Sequence, residues 1–234
     1  MTLVSIVIPA RNEEEVIGKV LIDINKEIFK LKKYQFEVIV VDDGSSDKTS
    51  NIARKYGAKV ILNIGLHGKG KALIKGFREA KGDIIIMLDA DYSHRPEDIS
   101  EFLKKIDEGY GLVIGSRYTG GSDEYNLVRS FGNISLTTAF KIFFGIPLTD
   151  ALNGYKAFKK SVIKKYSYFS KDFEIEIELI ANALKERYTI GEVPSHERER
   201  AGGKMKSRAY IHGPKFLFAI IRHGFAYRWN KLFR

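Results

Sequence analysis

Along the first half of the chain, short apolar runs alternate with amphipathic stretches. Leu3 to Pro9 is a β-branched run closed by proline. Val16, Val20, Leu21, Ile24, Ile28 and Leu31 then recur at helical spacing. Phe36 to Val41 predicts a second strand, Lys48 to Tyr56 a helix stopped at Gly57, and Lys59 to Leu62 a third strand. A glycine-rich loop from Gly65 to Gly70 leads into a helix over Lys71 to Ala80. Ile84 to Leu88 is continuously apolar, the pattern of a strand covered on both faces. Pro96 opens a helix to Ile106, and Gly111 to Gly115 is a fifth strand. Strands and helices alternating at this spacing predict an α/β fold with a mostly parallel sheet and helices on both faces. Beyond Tyr118 the pattern changes. A loop rich in Gly, Ser and Asp precedes a helix over Arg129 to Phe144; Asp150 to Phe158 is a turn into a strand. Phe173 to Tyr188 is a helix, Glu192 to Pro194 a short strand end, and Arg200 to Ser207 a basic loop.

Chemistry gathers at the strand ends. Glu13 follows the first strand, Asp42 and Asp43 the second, and Asp89 and Asp91 the fourth. In open α/β sheets ligands bind at the carboxyl ends of strands. If these strands are neighbours, the acids line one crevice that a nucleotide fits, with Asp42 accepting from a base N–H and Glu13 near base or ribose. Asp89 and Asp91, one residue apart in extended chain, fall on one side. They can share a hard divalent cation, or they can be a strand end followed by a helix cap. Asp42 to Ser45 likewise has an Asx-turn alternative. Glu174, Glu176 and Glu178 alternate with Ile175, Ile177 and Leu179, which suits no single helix face, so at least one glutamate is expected to point inward.

Composition narrows the field. With 44% apolar and 29% charged residues, the chain is an ordinary globular protein. It has no cysteine, which excludes disulfides and zinc–thiolate sites and is compatible with a reducing compartment. The strand pattern beginning at Leu3 leads us to expect no signal peptide. The longest apolar stretch, Phe131 to Leu148, carries Lys141 in its middle, and we expect no membrane span. The net charge is +10, of which +8 lies from His196 onward. A basic tail on a near-neutral body calls for an anionic partner. From Gly213, Pro214 can start a helix on which Phe218, Ile221, Phe225, Trp229 and Leu232 form a stripe flanked by Lys215, Arg222 and Arg228. This is the pattern of an interfacial helix, or of one packed on the body or a partner. No nucleic-acid recognition motif accompanies the charge. We expect one domain over residues 1–212, with 213–234 as a C-terminal basic amphipathic helix.

Ser5 to Glu13, Val41 to Asp47, Gly68-Lys69-Gly70, Leu88 to Asp91 and Gly115-Ser116-Arg117 occur in an order that resembles the family 2 inverting glycosyltransferases of GT-A fold. Asp150 to Phe158, Phe173 to Glu176, and Glu192 to Pro194 with Arg200 to Lys206 further resemble the branch that glycosylates dolichyl or polyprenyl phosphate, including dolichol-phosphate mannose synthases. The resemblance implies a GT-A α/β sheet and a nucleotide-sugar donor, GDP-mannose or UDP-glucose. It implies Mg²⁺ or Mn²⁺ at Asp89 and Asp91, and donor contacts from Pro9, Arg11, Glu13, Asp42, Lys69, Ala90, Arg200 and Lys206. Arg117 and Arg129 match basic residues that face phosphates. The chain departs from the family pattern at Arg11, Ser93 and Met205, where an aromatic, a glutamine and a serine are usual.

The implied reaction inverts the anomeric carbon, with Asp91, Arg117, Arg129 and Glu176 as catalytic candidates. A lipid phosphate is already ionised near neutral pH and needs positioning rather than a base. A hydroxyl acceptor would need one, with Glu176 first and Asp150 second. The expected function is therefore hexose transfer to a polyprenyl phosphate by an enzyme peripheral to the cytoplasmic face of a membrane. The alternatives are a soluble transferase using Glu176 as base, and a non-catalytic nucleotide-sugar-binding or scaffold protein.

Overall fold

A computed structural model describes residues 1–65, 67–124, 127–163, 170–202 and 209–232. Among the described residues seven strands form one sheet: β1 (Thr2–Ala10), β2 (Tyr34–Asp42), β3 (Lys59–Leu62), β4 (Ile84–Met87), β5 (Leu112–Ser116), β6 (Lys156–Lys159) and β7 (Ile190–Pro194), in spatial order β3-β2-β1-β4-β6-β5-β7. All pairings are parallel except those of β6, which runs antiparallel to both β4 and β5. The helices are α1 (Ile17–Lys30), α2 (Thr49–Lys55), α3 (Lys69–Glu79), α4 (Ile99–Asp107), the single turn α5 (Arg117–Gly120), α6 (Leu127–Phe144), α7 (Ile175–Lys185) and α8 (Ala209–Leu232). The α/β, mostly parallel expectation is met. The direction of β6 is not visible in its apolar pattern.

The sheet divides the core in two because side chains alternate along each strand. Val4, Ile6 and Ile8 of β1 pack with α1 and α4 on one face. Val7, Ile85 and Met87 pack with α3, α6, α7 and α8 on the other. Ile84 to Met87 is buried throughout, as its unbroken apolar run requires.

The helix α8 begins at Ala209, ahead of the expected start at Gly213, and Pro214 lies inside it. Proline cannot donate to the preceding turn, so packing holds this segment helical. Phe216, Ala219 and Ile220 join the core formed with α6 and α7. The opposite side stays open, with Phe218 and Trp229 each 66% exposed. The expected stripe therefore lies on a helix whose other face is part of the body.

Candidate active site

The register sets the site. Ala10 pairs with Asp42, and Val7 with Met87, so the carboxyl ends of β1, β2 and β4 lie side by side. Because β6 is antiparallel, its first residue, Lys156, pairs with Met87 and Ile114. The turn before β6, Asn153 to Tyr155, thus meets the same end of the sheet. A cleft of about 760 Å³ opens there.

Its walls include Pro9, Arg11, Glu13, Lys69, Asp89, Ala90, Asp91, Arg117, Glu176 and Arg200. Asp42 is not among its lining residues. Its carboxylate accepts from the Ser45 N–H at 2.7 Å and from the Ser50 hydroxyl, the Asx-turn alternative. Asp43 lines the cleft instead and accepts from Gly68 N–H at 2.8 Å and Asn63 Nδ2 at 2.7 Å. Asp47 accepts from Thr49 N–H at 3.0 Å, just ahead of α2. Arg129 sits in the first turn of α6, and its side chain lies outside the described ones, as does all of Lys206.

The two aspartates leave the sheet differently. Asp89 Oδ1 lies 2.7 Å from Lys69 Nζ. Asp91 Oδ2 lies 2.6 Å from Arg200, while its Oδ1 accepts from Ser93 N–H at 3.0 Å and Ser93 Oγ at 2.6 Å. Between them and the rest of the loop, Tyr92 has φ +72°, an unfavourable value for an aromatic residue. Its hydroxyl donates to Asp23 at 2.6 Å, and Lys19 Nζ stands 4.0 Å from its ring centroid. These contacts hold a strained backbone at the rim of the site.

The site has a charged floor. Lys69 Nζ also lies 3.2 Å from Glu176 Oε1, and Glu176 Oε2 accepts from Lys156 at 2.8 Å. Lys156 is wholly buried and also donates to the Asn153 carbonyl. Burial pulls the Asp89 carboxyl upward, but Lys69, His94 and Arg200 together hold its pKa down at about 2. Burial disfavours the Lys69 cation too, yet Asp89 and Glu176 keep it protonated and raise its pKa. For Lys156 burial prevails over Glu176, and its pKa falls.

The glycines around Lys69 serve packing. A Cβ on Gly68, whose φ is +134°, would stand 2.3 Å from the Lys171 carbonyl oxygen, and one on Gly70 2.6 Å from that of Asp172. Gly68 N–H is taken by Asp43, and Lys71 N–H donates to the Lys171 carbonyl at 3.3 Å. The side chain of Lys69, rather than the loop backbone, is what reaches the cleft. Gly154 leaves room above it: a Cβ there would stand 2.9 Å from Lys69 Nζ and 3.1 Å from Asp89 Oδ2.

Arg117 is clamped. It donates bidentately to Asp150, from Nε at 2.7 Å and Nη2 at 2.9 Å, and reaches Glu197 at 3.2 Å. Burial opposes its charge, but Asp150 and Glu197 raise its pKa. Asp150 is fully buried and committed to this pair. Of Glu174, Glu176 and Glu178, the two inside α7, Glu176 and Glu178, are buried, and Glu178 accepts from Ser170 N–H at 3.0 Å.

Two residues at the site were not singled out in the sequence. His94 Nδ1 accepts from the Asp89 N–H at 3.0 Å, so its proton sits on Nε2, which donates to Asn153 Oδ1 at 3.1 Å. Asn153 Nδ2 in turn donates to the Gly115 carbonyl at 2.7 Å. They tie the loop of Asp89 to the turn before β6. Only the expectation that a polar turn precedes β6 pointed toward them.

The donor chemistry at this cleft is hard: carboxylates beside several cations, with no cysteine anywhere in the chain. Among the described residues no three His, Asp or Glu side chains form a metal-binding group. Two carboxylates suffice for Mg²⁺ or Mn²⁺ when waters and substrate phosphates complete the shell. The residues therefore fit such an ion together with a diphosphate.

A mostly parallel α/β sheet with an acid-lined cleft at the carboxyl ends of its strands places the cleft where open α/β proteins bind their ligands. The profile of glycosyl transferase family 2 matches residues 5–167, and the chain belongs to that family; it is a glycosyltransferase. Among curated relatives it is 36% identical to an uncharacterized protein of Methanocaldococcus jannaschii over 92% of this chain and 90% of that one. It is 31% identical to the dolichol-phosphate mannosyltransferase of Pyrococcus furiosus over 94% of this chain and 62% of that longer protein, so it spans less than two thirds of it. It is also 31% identical to the dolichyl-phosphate hexose transferase of Haloferax volcanii, over 85% and 84%. The glucosyl-3-phosphoglycerate synthase of Mycobacterium tuberculosis, solved with Mn²⁺, UDP-glucose and phosphoglyceric acid, superposes with TM-score 0.74 at 22% identity. The match covers 95% of this chain and 80% of that one. The same synthase solved with Mg²⁺ and UDP gives 0.73 at 22% identity, over 95% and 79%. The fold is thus GT-A, as the motif order implied.

Proposed function

We propose that this chain transfers a hexose from a nucleoside-diphosphate sugar, GDP-mannose or UDP-glucose, to a polyprenyl phosphate of dolichyl type at the cytoplasmic face of a membrane. The observation that carries this reading is the mixed lining of the cleft. Acids and cations come from the strand ends and their loops, among them Asp89, Asp91, Lys69 and Arg200. Apolar side chains come from α6 and α8, with Leu136, Tyr210 and Phe216, and from Leu152 before β6. The charged lining suits a diphosphate, and the apolar lining suits an acceptor that carries a lipid chain. Two relatives whose names state dolichyl-phosphate hexose transfer, each at 31% identity, support it.

Asp89 and Asp91 are the residues that would hold Mg²⁺ or Mn²⁺. When bound, the ion supplies neutralisation of charge on the leaving diphosphate. Lys69 and Arg200, now paired with these aspartates, stand where diphosphate oxygens arrive. Arg11 and Glu13 line the β1 side for the nucleoside. An acceptor phosphate oxygen bonds to the anomeric carbon from the side opposite the leaving group. The bond to the diphosphate oxygen breaks, and its electron pair leaves with the nucleoside diphosphate. This inverts the centre. Glu176 has one oxygen on Lys156 and the other near Lys69, which supports an acceptor that arrives already ionised over one that needs this carboxylate as base.

The outer faces of α6 and α8 support a lipid surface as the place of work. Leu127, Phe131 and Ile142 on α6, and Leu217, Phe218, Phe225 and Trp229 on α8, are exposed, beside exposed Lys141, Lys215 and Arg228. Among the described residues no helix is long and apolar enough to cross a membrane. The test is a panel of nucleotide sugars offered with dolichyl phosphate and Mn²⁺, with products read by mass. A glycosylated lipid phosphate is expected from one donor. Transfer only to hydroxyl acceptors, or donor binding without transfer, would overturn the reading.

A further inference from the structure

The least explained group in the molecule is Lys156. It is a fully buried ammonium at the centre of the sheet, next to the cleft but not among its lining residues. A buried charge is costly unless it is paired and hydrogen-bonded. It is also seldom worth more to stability than a packed apolar side chain. Its contacts show where it acts. Lys156 Nζ lies 2.8 Å from Glu176 Oε2; Glu176 Oε1 lies 3.2 Å from Lys69 Nζ; Lys69 Nζ lies 2.7 Å from Asp89 Oδ1. Four charges of alternating sign thus run from the sealed core to the cleft. A second route leaves the same ammonium through the Asn153 carbonyl, and the Asn153 side chain meets His94, whose Nδ1 holds the Asp89 backbone. The Asp89 carboxylate and its main chain are both tied back to Lys156.

We propose that Lys156 is a positioning residue for the donor site: by holding Glu176 it divides Lys69 between Glu176 and Asp89, and so fixes the place of Lys69 at the donor diphosphate. This inference rests on the function proposed above for the chemistry it serves, but not for its geometry. Glu176 is a monovalent anion between two ammonium groups. With Lys156 present, Glu176 is already compensated and Lys69 can lean to Asp89, as the shorter of its two contacts shows. Without Lys156, Glu176 would be a buried anion whose nearest cation is Lys69. Lys69 would be drawn to it, and Asp89 would lose its partner. Gly154 keeps its own side of Lys69 clear, since a Cβ there would stand 2.9 Å from Lys69 Nζ, while the Phe173 ring faces the ammonium at 5.2 Å.

The test uses the full chain and three variants: K156M, which keeps the length and removes the charge; K156R, which keeps the charge; and K156M/E176Q, which leaves no uncompensated charge behind. Crystal structures of wild type and K156M without nucleotide are expected to show Lys69 Nζ moved from Asp89 to Glu176 in the variant. Donor KM should rise and kcat/KM fall about 10–100-fold in K156M, the usual range for an outer partner of a site residue. K156R should retain more of both. The double variant should return Lys69 to Asp89 and bring donor KM back toward wild type. That recovery is one that a purely structural role for Lys156 would not produce. Lys69 still on Asp89 in K156M, or a double variant whose donor KM stays as high as that of K156M, would overturn the proposal. If K156M does not fold, the double variant decides alone: Lys69 away from Asp89 in its structure overturns the proposal. If wild-type protein turns over no nucleotide sugar, the proposed function fails, while the position of Lys69 in the crystals still decides the role of Lys156.

Discussion

At the residue scale, the carboxylates at the strand ends were legible in the sequence, and their partners were not. Asp89 and Asp91 announce themselves by following a buried apolar run. Lys69, Arg200 and Lys156 come from remote segments, and no local pattern says that a lysine on β6 lies under an aspartate after β4. Asp42 and Asp43 are both buried; the cleft is lined by Asp43, and Asp42 accepts from the Ser45 N–H of its own turn. Two predictions belong here. Asp91→Ala removes a carboxylate that can face a metal-bound diphosphate, and transfer should fall about a hundredfold or more, with weaker donor binding by calorimetry in Mn²⁺. Undiminished turnover of the variant, or of wild type in excess EDTA, would refute the metal role. The second separates acceptor classes through pH. A phosphate acceptor gains its second charge near pH 6, so activity should rise as pH increases through about 6. That limb belongs to the substrate, and Glu176→Gln should lower the rate yet leave the limb in place. A variant whose profile turns flat would make Glu176 the base and the acceptor a hydroxyl. Arg117→Ala is a poor probe of phosphate binding, because it leaves buried Asp150 without its bidentate partner. Breaking such a pair costs about 3–5 kcal/mol.

At the element scale, periodicity located the early strands and helices because each apolar run there is bounded by turn residues. It was blind in one respect. Lys156 to Lys159 carries no mark of direction, and only pairing with β4 and β5 makes it antiparallel. That reversal is what delivers Asn153, Gly154 and Lys156 to the site. In α8 the exposed aromatic stripe was visible and packing on the body was the stated alternative; Phe216, Ala219 and Ile220, between the stripe positions, supply that packing. The docking of α8 carries a pH prediction. His223 is buried on this helix, and burial lowers its pKa from 6.5; Lys185 and Arg222 push the same way, against Glu178. The folded state therefore prefers neutral imidazole. The stabilisation this represents is present above pH 6.5 and is lost as pH falls through the folded pKa below it. Thermal unfolding followed from about pH 7.5 to about pH 5 should show a steeper loss of midpoint in wild type than in His223→Leu. Parallel curves would mean that His223 is not what titrates.

At the scale of the whole molecule, the cleft and the apolar outer faces of α6 and α8 lie on connected elements, since Phe143 of α6 meets Phe225 of α8 edge-on at 5.5 Å. Deleting residues from Gly213 onward would remove core as well as surface, because Phe216 lines the cleft and packs inside. Such a truncation should lower the thermal midpoint and cannot isolate membrane binding. Substitutions confined to the outer face can. Phe131 on α6 and Phe218 and Trp229 on α8 are each more than half exposed, so Phe131→Ser, Phe218→Ser and Trp229→Ser together should leave the fold and donor binding intact. An inserted aromatic contributes in proportion to the apolar area it buries, and each basic residue near an anionic surface adds about 1 kcal/mol, screened within a Debye length. Several such contributions give reversible attachment. The triple variant should no longer sediment with vesicles containing anionic lipid, and raised salt should release wild type. Transfer to a long-chain polyprenyl phosphate should drop sharply, while a short water-soluble phosphate acceptor should be used nearly as before. Unchanged sedimentation of the triple variant would place lipid binding elsewhere, and a change in its mass by light scattering would make this face a contact between copies of the chain.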